Sequence, residues 1–290
     1  MADVPYFELL KKGFRQFLGN LPLLLTLLVS IILLAGFLIV LCIELVLLLV
    51  INKGPILAVL SQPELLAGLF SLKNIFLLAL FLIIDIVILL AIGAYSAGMK
   101  IGMYKEIIDT GRTSARNMFS YGRRFFGIYF GYEIIRMMLF LVPMAVLGGI
   151  AVLALAASNV LGVILILLFM LVFIAYAFFL SFGLFFVNPI IVSRKGTAQD
   201  IVKASFSYMK QNFWHVFATW GITVLVFIGV AIVLSPLDYI VTPADATALT
   251  AALVASSIIL GVIRAIVNII MGFGTDLFRF NSYFYNPRRK

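Results

Sequence analysis

Cysteine and histidine are almost absent from this sequence. Cys42 is the only cysteine and His215 is the only histidine among the 290 residues. One cysteine cannot form an intramolecular disulfide, and one residue of each type cannot build the common Cys/His metal sites within a single chain. We therefore predict no metal site and no cofactor.

Charged residues are scarce as well. Only 11% of the residues are charged and 64% are hydrophobic, which gives a mean hydropathy of +1.21. A soluble domain typically has about 25% charged residues. A chain this apolar cannot hide its surface in one aqueous core, so lipid must solvate much of it. The apolar runs are long and continuous rather than alternating, which predicts membrane-spanning helices.

Six apolar runs are long enough to cross a bilayer. The predicted spans are 21–51, 75–101, 126–157, 160–192, 214–235 and 246–275. The first run is longer than the core of a signal peptide, so we predict that it is retained as a span. Asn188-Pro189 is expected to end or kink the fourth span. The predicted fold is an all-α integral membrane protein with a single transmembrane domain over 1–290.

The few charges are distributed unevenly along the chain. Starting from the N-terminus, alternate segments outside the spans contain three, six, four and four Lys or Arg residues, with Lys100 at the end of the second span counted in the segment that follows it. The intervening segments contain two, none and none. Basic segments stay in the cytoplasm, which predicts a multi-pass protein of a cell membrane with both termini cytoplasmic. The net charge of +9 is then expected to face the anionic lipids of the inner leaflet rather than nucleic acid.

A basic, aromatic-rich stretch precedes the first, third and fifth spans. The three stretches are YFELLKKGFRQFLGN (6–20), ARNMFSYGRRFFG (115–127) and TAQDIVKASFSYMKQNFW (197–214). Apolar residues three and four apart alternate in them with basic ones, which predicts amphipathic helices that lie in the cytoplasmic membrane interface. The predicted interfacial anchors are Phe14, Phe119, Phe206, Trp214, Arg123, Arg124 and Lys210.

The same three stretches can be superimposed. Phe14, Phe119 and Phe206 coincide, and the tripeptide FSY occurs in both the second and the third stretch. This register predicts three pseudo-repeats, at approximately 1–104, 105–192 and 193–290, each an interfacial helix followed by a transmembrane hairpin. The alternative is that these residues are ordinary aromatic and basic anchors.

The segment NPIIVSRKGTAQDIVKASFSYMKQNFW (188–214) carries a resemblance to a known group of proteins. Its motif residues are Pro189, Gly196, Ala204, Ser205, Asn212, Phe213 and Trp214. The segment resembles prokaryotic six-helix membrane proteins related to the membrane domain that is fused to some glycerophosphodiester phosphodiesterases. The resemblance implies an architecture of six spans. It implies no catalytic residue, because the soluble phosphodiesterase domain is missing from this sequence.

Four ionisable residues lie well inside the predicted spans: Asp85, Glu133, Arg136 and Arg264. An ionised side chain in the bilayer centre costs a few kcal/mol, so each of them needs a partner. Their charges sum to zero, and Glu133 and Arg136 lie three residues apart on one helix face. We predict that the four form one layer. The layer is either a dry ion-pair cluster that fixes helix packing or a polar site in which the two arginines contact an anionic ligand and the carboxylates orient them.

These observations favour a non-enzymatic membrane protein, because no nucleophile, base and acid are arranged as in a catalytic site. The predicted function is binding or transport of a lipid or small solute through the charged layer. The alternative is a structural or scaffold protein that recruits a partner protein or shapes the bilayer with its amphipathic helices. A homo-oligomer is compatible with both. A small-residue stripe at Gly93, Gly98 and Gly102 predicts close helix packing rather than a conduit.

Overall fold

The computed structural model describes residues 4–51, 72–157, 159–235 and 251–285, and these residues contain helices and no strand. In chain order the helices are α1 (Tyr6–Leu18), α2 (Leu24–Ile51), α3 (Leu72–Thr110), α4 (Ala115–Ala157), α5 (Asn159–Gly183), α6 (Val187–Ser193), α7 (Ala198–Gln211), α8 (Phe213–Leu234) and α9 (Ala251–Tyr285), with a 3₁₀ turn at Leu21–Leu23. Six of the described segments are long and apolar enough to cross a membrane. The prediction of an all-helical chain with six apolar helices of membrane-spanning length is thereby confirmed.

Several helices extend beyond the predicted spans. Helix α3 continues to Thr110 instead of residue 101, and α9 continues to Tyr285 instead of residue 275. At roughly 1.5 Å per residue, α3 and α9 measure about 58 and 52 Å, whereas the hydrocarbon core is about 30 Å thick. Hydropathy marks only the part of a helix that lipid can solvate, so it misses the extension. The predicted start of the sixth span at residue 246 lies outside the described residues.

The second amphipathic stretch differs from its prediction. In place of a separate interfacial helix before the third span, the structure has one continuous helix, α4, from Ala115 to Ala157. The segment between 115 and 130 contains glycine but no proline, so nothing ends the helix at residue 126. The neighbouring helix α3 packs along the same segment and supports it.

The fourth predicted span is interrupted near its C-terminal end. Helix α5 ends at Gly183, and the short helix α6 begins at Val187. Pro189 in α6 has no amide hydrogen for the Phe185 carbonyl oxygen, and its ring would clash with that carbonyl in a continuous helix. Residues 184–186 form turns instead. The break expected from Asn188-Pro189 therefore appears a few residues before the proline.

The buried core lies at one end of the helix bundle. Its largest fully buried members include Met99, Met103 and Ile107 of α3 and Leu277 and Phe280 of α9. By contrast, at most 22% of the most apolar window of any candidate span is buried inside the chain. We call the well-packed end the basic end, because Lys100, Lys105, Arg112, Arg116, Arg123, Arg124 and Arg279 lie there.

Helix α1 packs along the last part of α9 at the basic end. Leu9, Gly13 and Phe17 form its buried face, and Phe7 on the other side is 78% exposed. A Cβ atom on Gly13 would lie 2.7 Å from the Gly274 carbonyl oxygen and 2.7 Å from the Phe278 amide nitrogen. The two backbones approach so closely that only glycine fits at this position.

The predicted anchors have two kinds of environment. Phe14 packs against Gly274, and Phe206 packs against Gly183. The side chains that remain exposed are Phe119, Trp214, Arg123, Arg124 and Lys210. The superimposable phenylalanines therefore have different surroundings, and two of the three contribute to packing between helices.

Helices α3 and α4 form the most extensive helix pair. Gly98 lies opposite Gly122, and Gly102 lies under the ring of Tyr121, so two members of the predicted small-residue stripe do serve close packing. Gly111 has a φ of 80° and ends α3. Asn20 donates to the Gly111 carbonyl oxygen and accepts from the amide of Thr113, which ties the turn to the start of α2.

Candidate functional site

Glu133 and Arg136 form the ion pair that their spacing predicts. The Arg136 Nη2 atom lies 2.7 Å from the Glu133 Oε2 atom. The Glu133 side chain is 11% exposed, whereas the Arg136 side chain is 49% exposed. One carboxylate oxygen satisfies part of a guanidinium that has five N–H donors. The pair therefore presents unused donors of Arg136 on the surface of α4.

An open cavity of about 370 Å³ lies in front of this pair. It is lined by Ile86, Leu89, Leu90, Gly93 and Ala97 of α3 and by Tyr129, Glu133 and Arg136 of α4. One part of the cavity is an apolar strip along α3, and the other part presents a guanidinium and a carboxylate. Such a lining fits a ligand that has an apolar portion and an anionic group.

Asp85 lies at the level of Arg136. Gly98 of α3 faces Gly122 of α4, and the two helices run antiparallel from that crossing. Measured from that crossing, Asp85 and Arg136 each lie about 20 Å along their own helices, away from the basic end. The carboxyl group of Asp85 lies near that of Glu44 of α2. The Asp85 Oδ1 atom is buried and has no hydrogen-bond partner among the described residues.

Arg264 is bound to the end of a neighbouring helix. Its Nη2 atom donates to the Leu234 carbonyl oxygen at 2.9 Å, and Leu234 is the last residue of α8. The last carbonyls of a helix have no partner within the helix, so a guanidinium is a suitable cap there. Arg264 lies one turn beyond Asn268, which shares a cavity with Gly93 of α3. Glu133 and Arg136 thus contact each other, whereas Asp85 lies near Glu44 and Arg264 contacts the end of α8.

A second charged cluster was not recognised from the sequence. Asp276 of α9 accepts a hydrogen bond from the hydroxyl of Tyr104 at 3.0 Å, and its carboxylate lies 3.9 Å from the Lys100 Nζ atom and 3.7 Å from the Arg279 Nη1 atom. Lys100 lies at the end of the second predicted span and Arg279 lies beyond the sixth, where basic residues indicate only membrane topology. The i, i+3 spacing of Asp276 and Arg279 on a continued helix was the signal that could have identified the cluster.

The only histidine lies in a buried polar chain. The His215 Nδ1 atom is 3.0 Å from the Tyr6 hydroxyl, and its Nε2 atom is 3.1 Å from the Ser282 Oγ atom. The Ser282 Oγ atom is in turn 2.8 Å from the Thr219 Oγ1 atom. The chain connects α1, α8 and α9.

This serine–histidine contact does not have the polarity of a catalytic pair. The His215 Nε2 atom also lies 3.2 Å from the carbonyl oxygen of Ser282, which can only accept. Nε2 therefore holds the proton, and Nδ1 accepts from Tyr6. A protonated Nε2 cannot remove the proton of the Ser282 hydroxyl, and Ser282 is 0% exposed. The chain holds three helices together.

Replacing Tyr6 with phenylalanine is expected to destabilise the protein by about 1 kcal/mol at neutral pH, because the Nδ1 atom loses its donor. Burial raises the pKa of Tyr6 above its ordinary value. The contribution of the hydroxyl is therefore complete below pH about 10 and is lost as the pH rises through the pKa in the folded state. Thermal unfolding of both proteins from pH 7 to 11 would show this difference shrink, whereas replacing the exposed Tyr285 with phenylalanine should change little. A pH-independent difference would contradict the assignment.

Comparisons of this chain with protein-family models, with curated proteins and with solved structures find no match. The roles of the two charged clusters therefore follow from their geometry alone. That geometry provides two open cavities, one in front of Arg136 and one in front of Lys100.

Proposed function

We propose that this protein is a non-enzymatic membrane protein that binds a lipid or a small solute through an anionic group at Arg136. The observation that carries the proposal is the cavity of about 370 Å³ in which a half-exposed guanidinium faces an apolar strip of α3. Glu133 orients the guanidinium, and the free N–H donors of Arg136 contact the ligand. A charge-assisted hydrogen bond of this kind is stronger than one between neutral groups.

The length of α4 is consistent with a lipid ligand. About 21 residues of α4 follow Arg136, and they are uncharged. They extend roughly 32 Å, which suffices to cross the hydrocarbon core without Arg136. Arg136 can then lie where the headgroups begin, with Ile86 of α3 beside it at a similar level. The cost of the charge is much lower there than in the bilayer centre.

The proposed orientation places the basic end and both termini in the cytoplasm of a cell. Its support is the excess of Lys and Arg at that end, since basic segments are retained on the cytoplasmic side. The exposed residues Arg116, Arg123 and Arg124 would then face the anionic lipids of the inner leaflet. Anionic lipids are accordingly the partners that we propose first, and a small solute is the second candidate.

The proposed architecture retains three units, each a basic stretch followed by a hairpin, as the resemblance to the six-helix membrane proteins implies. Helices α1 and α7 are the first and third of these stretches, and the beginning of α4 is the second. Helix α7 starts with a capping box formed by Thr197 and Asp200. Hydrogen bonds from Thr197 lower the pKa of Asp200, which keeps that carboxylate ionised to complete the cap.

Replacing Arg136 with glutamine is expected to lower the retention of anionic lipid by about tenfold or more, because a charge-assisted contact is lost. The protein would be purified in a neutral detergent and mixed with phosphatidylglycerol or phosphatidylcholine. Native mass spectrometry then measures the fraction of protein that keeps a bound lipid. The wild-type protein should prefer phosphatidylglycerol.

The control is Arg112→Gln, which removes an exposed arginine from the turn between α3 and α4. It should leave the retained lipid unchanged. If Arg136→Gln lowers the midpoint of thermal unfolding but retains as much phosphatidylglycerol as the wild type, the ion pair serves packing. That result would contradict the binding proposal and favour the structural or scaffold alternative.

A further inference from the structure

A second open cavity, of about 300 Å³, lies between α2, α3 and α9 on another side of α3. Its polar lining differs from that of the first cavity. The polar residues that line it are Thr26, Ser30, Ser96, Lys100, Asn268 and Asp276. Hydroxyls, an amide and an ammonium group therefore converge on a space large enough for a small molecule.

The charges at this cavity do not cancel. Lys100 and Arg279 share one carboxylate, that of Asp276, and both distances exceed those of a close ion pair, at 3.9 and 3.7 Å. The Asp276 Oδ2 atom also accepts from the Tyr104 hydroxyl. The cluster has a net charge of +1, and the Lys100 side chain is 40% exposed. Asp276 thus holds Lys100 loosely and leaves the donors of its ammonium group available.

The hydroxyl groups differ in what they can donate. Thr26 and Ser30 each donate to a carbonyl oxygen of their own helix or its first turn. The Ser96 Oγ atom is buried and has no partner among the described residues. A buried hydroxyl without a partner costs free energy. Because Ser96 lines the cavity, a rotation about its χ1 angle that brings the hydroxyl to a ligand oxygen would recover this cost. Ser96 and Lys100 are four residues apart on α3, so their side chains lie on one face.

We propose that this second cavity binds an oxyanion, a phosphate or carboxylate group, with Lys100 as the charged contact and Ser96 as a hydrogen-bond donor. Asn268 lies on the opposite wall and offers its amide. The oxyanion belongs either to a free solute or to a lipid headgroup. The site is distinct from the one at Arg136, and it can exist whether or not Arg136 binds a lipid.

Gly93 provides a way to close the cavity without changing a charge. It lines both cavities, together with Ala97. A Cβ atom on Gly93 would meet nothing within 4 Å, so a larger side chain there enters cavity space rather than a neighbouring helix. Gly93→Leu is therefore expected to fold and to obstruct both sites.

The test uses the full chain in neutral detergent and inorganic phosphate as the probe. Thermal unfolding is followed during a phosphate titration, with chloride added to keep the ionic strength constant. The wild type should be stabilised saturably by phosphate. Lys100→Gln should weaken the apparent affinity by about tenfold or more, and Gly93→Leu should abolish the response. Lys105→Gln, which removes a lysine that pairs with Asp109 on the same helix, and Arg136→Gln should both respond like the wild type.

A second arm identifies the source of the oxyanion. Native mass spectrometry with phosphatidylglycerol is repeated on Lys100→Gln and on Arg136→Gln. If lipid retention rather than the phosphate response depends on Lys100, the oxyanion is a lipid headgroup and the proposal is supported. If Lys100→Gln and Gly93→Leu match the wild type with both probes, the proposal is overturned, whatever Arg136→Gln shows.

Discussion

Replacing Asp276 with leucine is expected to lower the stability of the protein by about 3 kcal/mol, because removing one partner of a buried charge cluster strands the others. The Asp276 side chain is 22% exposed and is shared by Lys100, Arg279 and the fully buried Tyr104. Without it, two cations and a hydroxyl donor lose their common acceptor. The midpoint of thermal unfolding in detergent should fall by roughly 10 °C.

A double replacement tests the physical reason. Adding Lys100→Leu to Asp276→Leu removes one of the stranded cations, so part of the lost stability should return. Asp109→Ala is the control, since Asp109 pairs with Lys105 on the exposed side of α3. An exposed pair of this kind contributes at most about 1 kcal/mol. If Asp276→Leu is no worse than Asp109→Ala, the cluster does not stabilise the basic end.

Replacing Gly13 with valine is expected to displace α1 from α9 and to cost about 3 kcal/mol, the upper range for overpacking. The new Cβ atom would lie 2.7 Å from two backbone atoms of α9, and backbone atoms cannot rotate away as a side chain can. Valine has a better helix propensity than glycine, but that gain is only a few tenths of a kcal/mol. The cost of the clash therefore exceeds the gain in helix propensity, and the replacement destabilises the protein.

Gly127→Val is the matched control for this replacement. Gly127 lies inside α4, and a Cβ atom there would meet nothing within 4 Å. Thermal unfolding should distinguish the two variants, and limited proteolysis near residue 20 should be accelerated only in Gly13→Val. Equal stability of the two variants would show that α1 does not depend on the close approach to Gly274.

The sequence predicted the positions of the apolar runs better than it predicted where the helices end. Hydropathy located each apolar run, because lipid must solvate it wherever it lies. It did not locate the ends of α3 and α9, since a helix continues until a residue breaks it or its packing stops. The core residues Met103, Ile107 and Leu277 lie in these extensions. Their burial depends on which helices meet beyond the membrane-spanning part.

At the candidate sites too, the sequence predicted contacts within one helix but not contacts between helices. Glu133 and Arg136 could be paired from the sequence because three residues bring two side chains to one face of a helix. The cluster around Asp276 joins α3 and α9, and the chain of Tyr6, His215 and Ser282 joins three helices. No spacing along the chain encodes such contacts.

The sequence by itself determined that this is a multi-pass helical membrane protein, where its apolar runs lie and that Glu133 and Arg136 are neighbours. These properties follow from composition and from the geometry of a single helix. Only the tertiary structure decided that Arg264 caps α8 and that Asp276 lies between two cations. It also decided that Gly93 lines two cavities. Those properties depend on the rotation and register of one helix against another, which side chains from several segments fix together.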